Sequence, residues 1–145
     1  MNEGARPRPI FILNGPNLNR LGTREPTIYG HTTLAEIEAQ CRSAVPEHAI
    51  VFRQTNHEGE LVEWVQEAID AANAIIINPA GFSFTSVALL DALRMFPGPI
   101  IEVHISNIHA RPPPHRDSLI SPAATGVIAG LGPRGYLLAL SHLTA

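Results

Sequence analysis

Five short apolar runs recur along the chain, most of them separated by enough residues for a helix: "PIFIL" (9–13), "AIVFRQ" (49–54), "AIIIN" (74–78), "PIIEVHI" (99–105) and "GVIAGLG" (126–132). Several are unbroken Ile/Val stretches, the pattern of parallel strands covered on both faces. Parallel strands need crossovers, and the segments between them supply these. In "TLAEIEAQCRSAV", Thr33 and Glu36 form a capping box, and Leu34, Ile37, Cys41 and Val45 make one apolar stripe. A second helix is predicted over 58–72, with Asn56 as its cap, acids in its first turn, and Leu61, Val65, Ala68, Ile69 and Ala72 buried. A third opens at Thr85–Ser86 and buries Val87, Leu90 and Leu93. The last follows Gly135 and carries Tyr136, Leu137, Leu140 and Leu143. The fourth crossover reads as a Pro-rich loop. The expectation is an α/β domain spanning 1–145, a doubly wound five-stranded parallel sheet, with 1–8 a flexible tail.

The composition fits one globular domain: 145 residues, 45% hydrophobic, net charge −3. Scattered Arg residues form no nucleic-acid groove, and the apolar run Ile10–Leu13 is too short for a signal peptide or a membrane span. The lone Cys41 cannot form an intramolecular disulfide, which suits the cytoplasm; its place on the helix stripe makes it a core residue. The sequence contains no Lys. That excludes Schiff-base catalysis through a Lys amine and a Walker-type phosphate loop.

In open parallel sheets ligands bind beyond the carboxyl ends of the strands. The segment leaving the first strand, "NGPNLNRLGTREPTIYG" (14–30), runs about seventeen residues where a few would make the connection. It carries three Asn, two Arg, one Glu and one Tyr, and is expected to line a site and close over it. Strand three ends at Asn78 and runs into "NPAGFSFTS". Strand four ends in "EVHISNIHARPPPHR" (102–116). Strand alternation puts Glu102 and His104 on one side, a carboxylate able to orient an imidazole as a general acid. The same His could instead serve only to satisfy backbone groups at the strand end. Tyr29 follows Arg24 by five residues. A nearby guanidinium lowers a phenol's pKa, so the pair is a candidate base on a lid, with packing of the loop as the other role open to Tyr29.

His104, His109 and His115 lack the spacing of a helical His-x-x-x-His metal site, and no Cys supports them. The first loop has no G-x-G-x-x-G, and "GLGPRG" (130–135) follows the last strand as a helix-start turn. Neither a metal nor a nucleotide cofactor is expected.

Taken together, the segments "LNGPNLNRLGTREPTIYG", "RQTNHEGELVEWVQEA", "INPAGFSFTSVALLDAL", "IEVHISNIHAR" and "SPAATGVIAGLGPRGYLLAL" resemble type II 3-dehydroquinate dehydratases, from Phe11 to about Leu143. The resemblance implies a flavodoxin-like fold, a dodecamer built of trimers, and cofactor-free dehydration of 3-dehydroquinate to 3-dehydroshikimate in the shikimate pathway or in quinate breakdown. By position it makes Tyr29 the base, activated by Arg24, and His104 the acid, oriented by Glu102. Asn17 matches the residue that holds a water against the enolate oxygen, and Asn78 a substrate-positioning amide. Ile105 and Ser106 match a carboxylate-binding turn, Arg111 a basic residue near the lid, and Asp91 a residue that reaches a neighbouring subunit's site.

Two departures touch substrate recognition. Where the family has His in "THTS", this chain has "SFTS", with Phe84 unable to make that hydrogen bond. After "HAR" the family has two acids, an aromatic and a substrate-contacting Arg. Here three Pro follow, with His115 at the Arg position and Arg116 one residue later. The alternative implied is a diverged paralogue acting on a related cyclic hydroxyketone, or a weakly active or non-catalytic one.

Overall fold

The computed structural model describes residues 7–23 and 25–145. Arg24 and the side chain of Tyr29 lie outside the described residues, as does most of the 1–8 segment expected to be a tail.

The five apolar runs become strands: β1 (Ile10–Asn14), β2 (Ile50–Gln54), β3 (Ala74–Asn78), β4 (Ile100–His104) and β5 (Gly126–Ala129). All pair in parallel in the order β2-β1-β3-β4-β5, the flavodoxin-like doubly wound order. β1 and β3 are buried along their whole length, each an apolar run closed by a buried Asn. The crossovers carry α1 (Pro26–Tyr29, a single turn), α2 (Leu34–Ala44), α3 (Glu58–Ala71) and α4 (Val87–Arg94), and α5 (Arg134–Leu143) follows β5. The β4–β5 crossover holds only two 3₁₀ turns, Ile108–Ala110 and Ser121–Ala123.

Strand alternation builds two core layers. Ile10, Ile12, Ile76 and Val103 pack with Ile37 and Cys41 of α2 and with Leu140 of α5. Phe11, Leu13, Ile75, Ile77 and Ile100 pack with Leu61 and Val65 of α3 and with Leu89 and Leu93 of α4. Burial pushes the Cys41 thiol up to about 11, so it is an unreactive core group. Among the described residues no helix is long and apolar enough to cross a membrane.

Two local readings are corrected. On α4 the buried stripe is Leu89, Ala92 and Leu93, whereas Val87 is 58% exposed. Val87 stands two residues, about 200° of helix rotation, from Leu89, so both cannot face the sheet. Asn56 does not cap α3. The cap is His57, without a side-chain bond, and the Asn56 Oδ1 instead accepts the Asn17 backbone N–H at 2.9 Å and the Gln54 Nε2–H at 3.0 Å. The caps of α2 and α4 do form: Thr33 accepts from the Glu36 N–H and Ser86 from the Leu89 N–H.

Candidate active site

The strand register levels the carboxyl ends that matter. Asn14 lies opposite Gln54 on one side and Asn78 on the other. Even-numbered positions of β1 and β3 face α2 and α5, so Asn14 and Asn78 end up on the α5 side. In β4 the offset reverses, and Ile100, Glu102 and His104 share the α4 side. The ends of the sheet therefore bring donors from both layers to one place.

That place is a cavity of about 120 Å³ whose wall includes Asn17, Asn78, Phe84, His104, Ser106 and His115. Ile105 and Arg111 also line it, and both reach into a wider groove alongside α1. Two further residues stand away from the cavity, Asp91 among them as a residue expected to serve a neighbouring subunit's site. Asp91 is exposed on α4, and Arg116 is exposed with its Nε 3.9 Å from Asp117 Oδ2. Of the two candidates after the Pro run, His115 is the one at the cavity.

Glu102 and His104 form a buried hydrogen bond between His104 Nε2 and Glu102 Oε2, at 0% and 4% exposure for Glu102 and His104. Burial alone would push the Glu102 carboxyl up. The hydrogen bond and charge of His104, with hydroxyl bonds from Ser118 and Ser121, outweigh it and hold the group below the usual carboxylate range. With Nε2 held by the carboxylate, Nδ1 is the ring nitrogen left to transfer a proton.

Asn78 is oriented by a directed chain. Its Oδ1 accepts the Ala80 N–H at 3.2 Å, and its Nδ2 donates to Tyr136 Oη at 3.0 Å. Tyr136 donates to Asn14 Oδ1 at 2.7 Å, and Asn14 Nδ2 donates to the Arg53 carbonyl at 3.0 Å. Each amide is fixed in one orientation by this order, and Asn78 keeps a second N–H for the cavity. Burial pushes the Tyr136 phenol well up, so it serves as a neutral donor and not as a base. Tyr136 looked like ordinary helix core in sequence. Its polarity on an otherwise apolar stripe was the available signal.

The backbone is shaped for the site. Asn17 adopts a left-handed conformation, φ 69°, a region Asn tolerates better than most residues. Gly15 sits where β1 and β3 diverge, its N–H bonded to the Asn78 carbonyl at 2.8 Å, and a Cβ there would fall on the Pro79 carbonyl. The loop after β5 braces the turn beyond His104: Gly130 N–H donates to the His104 carbonyl at 3.2 Å and Gly132 N–H to that of Ile105 at 3.0 Å. Phe84 lies between two imidazoles, its ring centroid 6.5 Å from His104 at 30° and 5.7 Å from His115 at 78°.

The fold is of the flavodoxin-like α/β class, and its strand ends carry a carboxylate-held imidazole beside amide donors, an arrangement suited to acid–base chemistry. The family model for class II dehydroquinases matches residues 8–144, and the chain belongs to that family. A 3-dehydroquinate dehydratase from Chelativorans sp. is 51% identical over 95% of this chain and 97% of its own length. One from Streptomyces coelicolor is 54% identical over 94% of this chain and 89% of its own. The crystal structure of type II dehydroquinase from Propionibacterium acnes superposes with a TM-score of 0.90 at 46% identity, covering 94% of this chain and 95% of the other.

Proposed function

We propose that this chain is a hydro-lyase that removes water from 3-dehydroquinate to give 3-dehydroshikimate. The observation that carries the reading is the buried Glu102–His104 pair facing the same small cavity as the oriented Asn78 amide. The family match across almost the whole chain names the substrate.

In this mechanism the Tyr29 phenolate, stabilised by the Arg24 guanidinium, takes a proton from the carbon beside the ketone. The electron pair moves onto the ketone oxygen as an enolate, held by a water on Asn17. The enolate then collapses, the neighbouring carbon–hydroxyl bond breaks, and His104 gives its proton to the departing hydroxide, which leaves as water. Tyr136 is committed as a neutral donor to Asn14, which leaves Tyr29 as the tyrosine for the base. Asn78, the Ile105–Ser106 turn and Arg111 position the substrate. His115 supplies polar atoms next to Phe84, which has none.

The reading includes a cytoplasmic homo-oligomer, a dodecamer built of trimers. Exposed Val87 and Asp91 lie one turn apart on α4, which suits a face that meets a neighbouring copy and lends it Asp91. Light scattering on the purified chain gives the assembly mass directly.

The deciding experiment is steady-state turnover of 3-dehydroquinate, followed by ultraviolet absorbance of the conjugated enone, with Tyr29→Phe as control. Turnover that disappears in the variant supports the reading. A folded protein without turnover would overturn it in favour of a related cyclic hydroxyketone as substrate.

A further inference from the structure

The Glu102 carboxylate is fully buried, yet its two oxygens meet three donors. Oε2 meets His104 Nε2 and also accepts the Ser118 hydroxyl at 2.7 Å, while Oε1 accepts the Ser121 hydroxyl at 2.8 Å. Both serines belong to the helix-free crossover, sixteen and nineteen residues beyond Glu102. That crossover is anchored around them: Ser118 Oγ accepts the Ile120 N–H at 3.2 Å, and the Leu119 N–H reaches the Ser83 carbonyl at 2.7 Å.

A serine hydroxyl has one proton to donate and can rotate to any acceptor in reach. Here both are directed at the same carboxylate, one per oxygen. An ionised carboxylate in a dry site stays ionised only while its lone pairs are satisfied. With the serines occupying one position on each oxygen, Oε2 keeps a further lone pair for the imidazole. The carboxylate plane cannot turn without breaking all three bonds together.

We propose that Ser118 and Ser121 are positioning residues for the acid, clamping Glu102 in the charged state and orientation that hold His104 toward the cavity. The same clamp fastens the downstream end of the segment carrying Arg111 and His115, so the acid and one wall of the cavity are set by a single anchor. This inference rests on the reaction proposed above for its kinetic readout, and on His104 itself for its direct one.

The test uses Ser118→Ala, Ser121→Ala, the double variant, and Ser118→Thr and Ser121→Thr, which keep the hydroxyl. Steady-state rates are measured across pH, and the His104 imidazole is titrated by nitrogen-15 NMR, its signals assigned by their loss in His104→Gln. Each alanine variant is expected to lower kcat about ten-fold and the double variant more, with KM changing less than about three-fold. The acidic limb of the rate profile moves to higher pH, because a carboxylate stripped of donors protonates sooner. The His104 titration changes with it, and the threonine variants recover most of the rate. Where an alanine variant does not fold, Ser→Cys, a weaker donor, takes its place. Alanine variants with kcat within two-fold of wild type would overturn the proposal, as would a lost rate with an unmoved His104 titration. If the wild-type chain does not turn over 3-dehydroquinate, the assigned reaction fails, while the NMR titration still decides the clamp.

Discussion

The Tyr136 hydroxyl accepts a 3.0 Å hydrogen bond from the Asn78 amide across 58 residues of sequence. It joins the last helix to the cavity end of the central strand and, together with the Ala80 N–H on Oδ1, fixes which way the amide points.

Tyr136→Phe should therefore be felt twice. It strands the Asn14 Oδ1 and one Asn78 N–H in a buried site, which costs about 1–3 kcal/mol and lowers Tm by about 2–10 °C at this chain length. It also removes the Nδ2 bond that helps orient Asn78, so the amide is held less firmly and kcat/KM should fall about ten-fold. Thermal melts and steady-state kinetics on one preparation check both. An unchanged kcat/KM in a destabilised protein would reduce Tyr136 to packing.

Glu102→Gln keeps the shape of the pair and removes its charge, and kcat should drop by about a hundred-fold or more as His104 loses its orienting anion. The same carboxylate sets a pH dependence of stability. Its folded-state pKa lies below the ordinary Glu range, so the folded state binds fewer protons than the unfolded chain as pH falls. That stability is complete above about pH 5 and is lost as acid titrates from the unfolded value, roughly 4.3, down through the folded one. Melting temperatures should fall less steeply between about pH 5 and 3 in Glu102→Gln than in wild type.

His115 stands at the cavity beside Phe84. If it supplies the polar contact that Phe84 lacks, His115→Ala raises KM about ten-fold in the wild type and by much less in a Phe84→His background, where an imidazole already faces the substrate. A double-mutant cycle on KM reads this coupling. Purely additive effects would show that the two positions act independently.

Gly15→Ala places a methyl against the Pro79 carbonyl, at the point where β1 and β3 part. Backbone cannot yield there as a side chain would. The substitution should destabilise the fold by about 1–3 kcal/mol and disturb Asn78, whose carbonyl accepts the Gly15 N–H. Denaturant unfolding with an unchanged m-value measures the loss.

What could be read from sequence follows the range of the interactions. β1 and β3 were legible because a strand covered on both faces is mostly apolar, as in "PIFIL" and "AIIIN", although each strand ends in a buried Asn. The Thr33 and Ser86 caps were legible because a cap acts within one turn. Val87 misled because a β-branched residue at a helix start fits an apolar stripe until the phase is fixed by Leu89 and Leu93. Asn56 misled because a local role, capping, competed with a distant one, bracing Asn17. Glu102 and His104 were found because a spacing of two is a strand signature. Their serine partners and Tyr136 were not, since those contacts close only when the sheet assembles.

The helix-free β4–β5 crossover has an evolutionary consequence. Residues 112–117 are exposed and carry no regular structure, while the chain is pinned just before them by the Arg111 N–H on the Ile108 carbonyl and just after by Ser118 on Glu102. Mutations between the pins rewrite the cavity wall at His115 without passing through the core or the Glu102–His104 pair. The three prolines, the His115 that follows them and Arg116 all fall between these pins, making this stretch the natural place for selectivity to drift and for an engineer to begin.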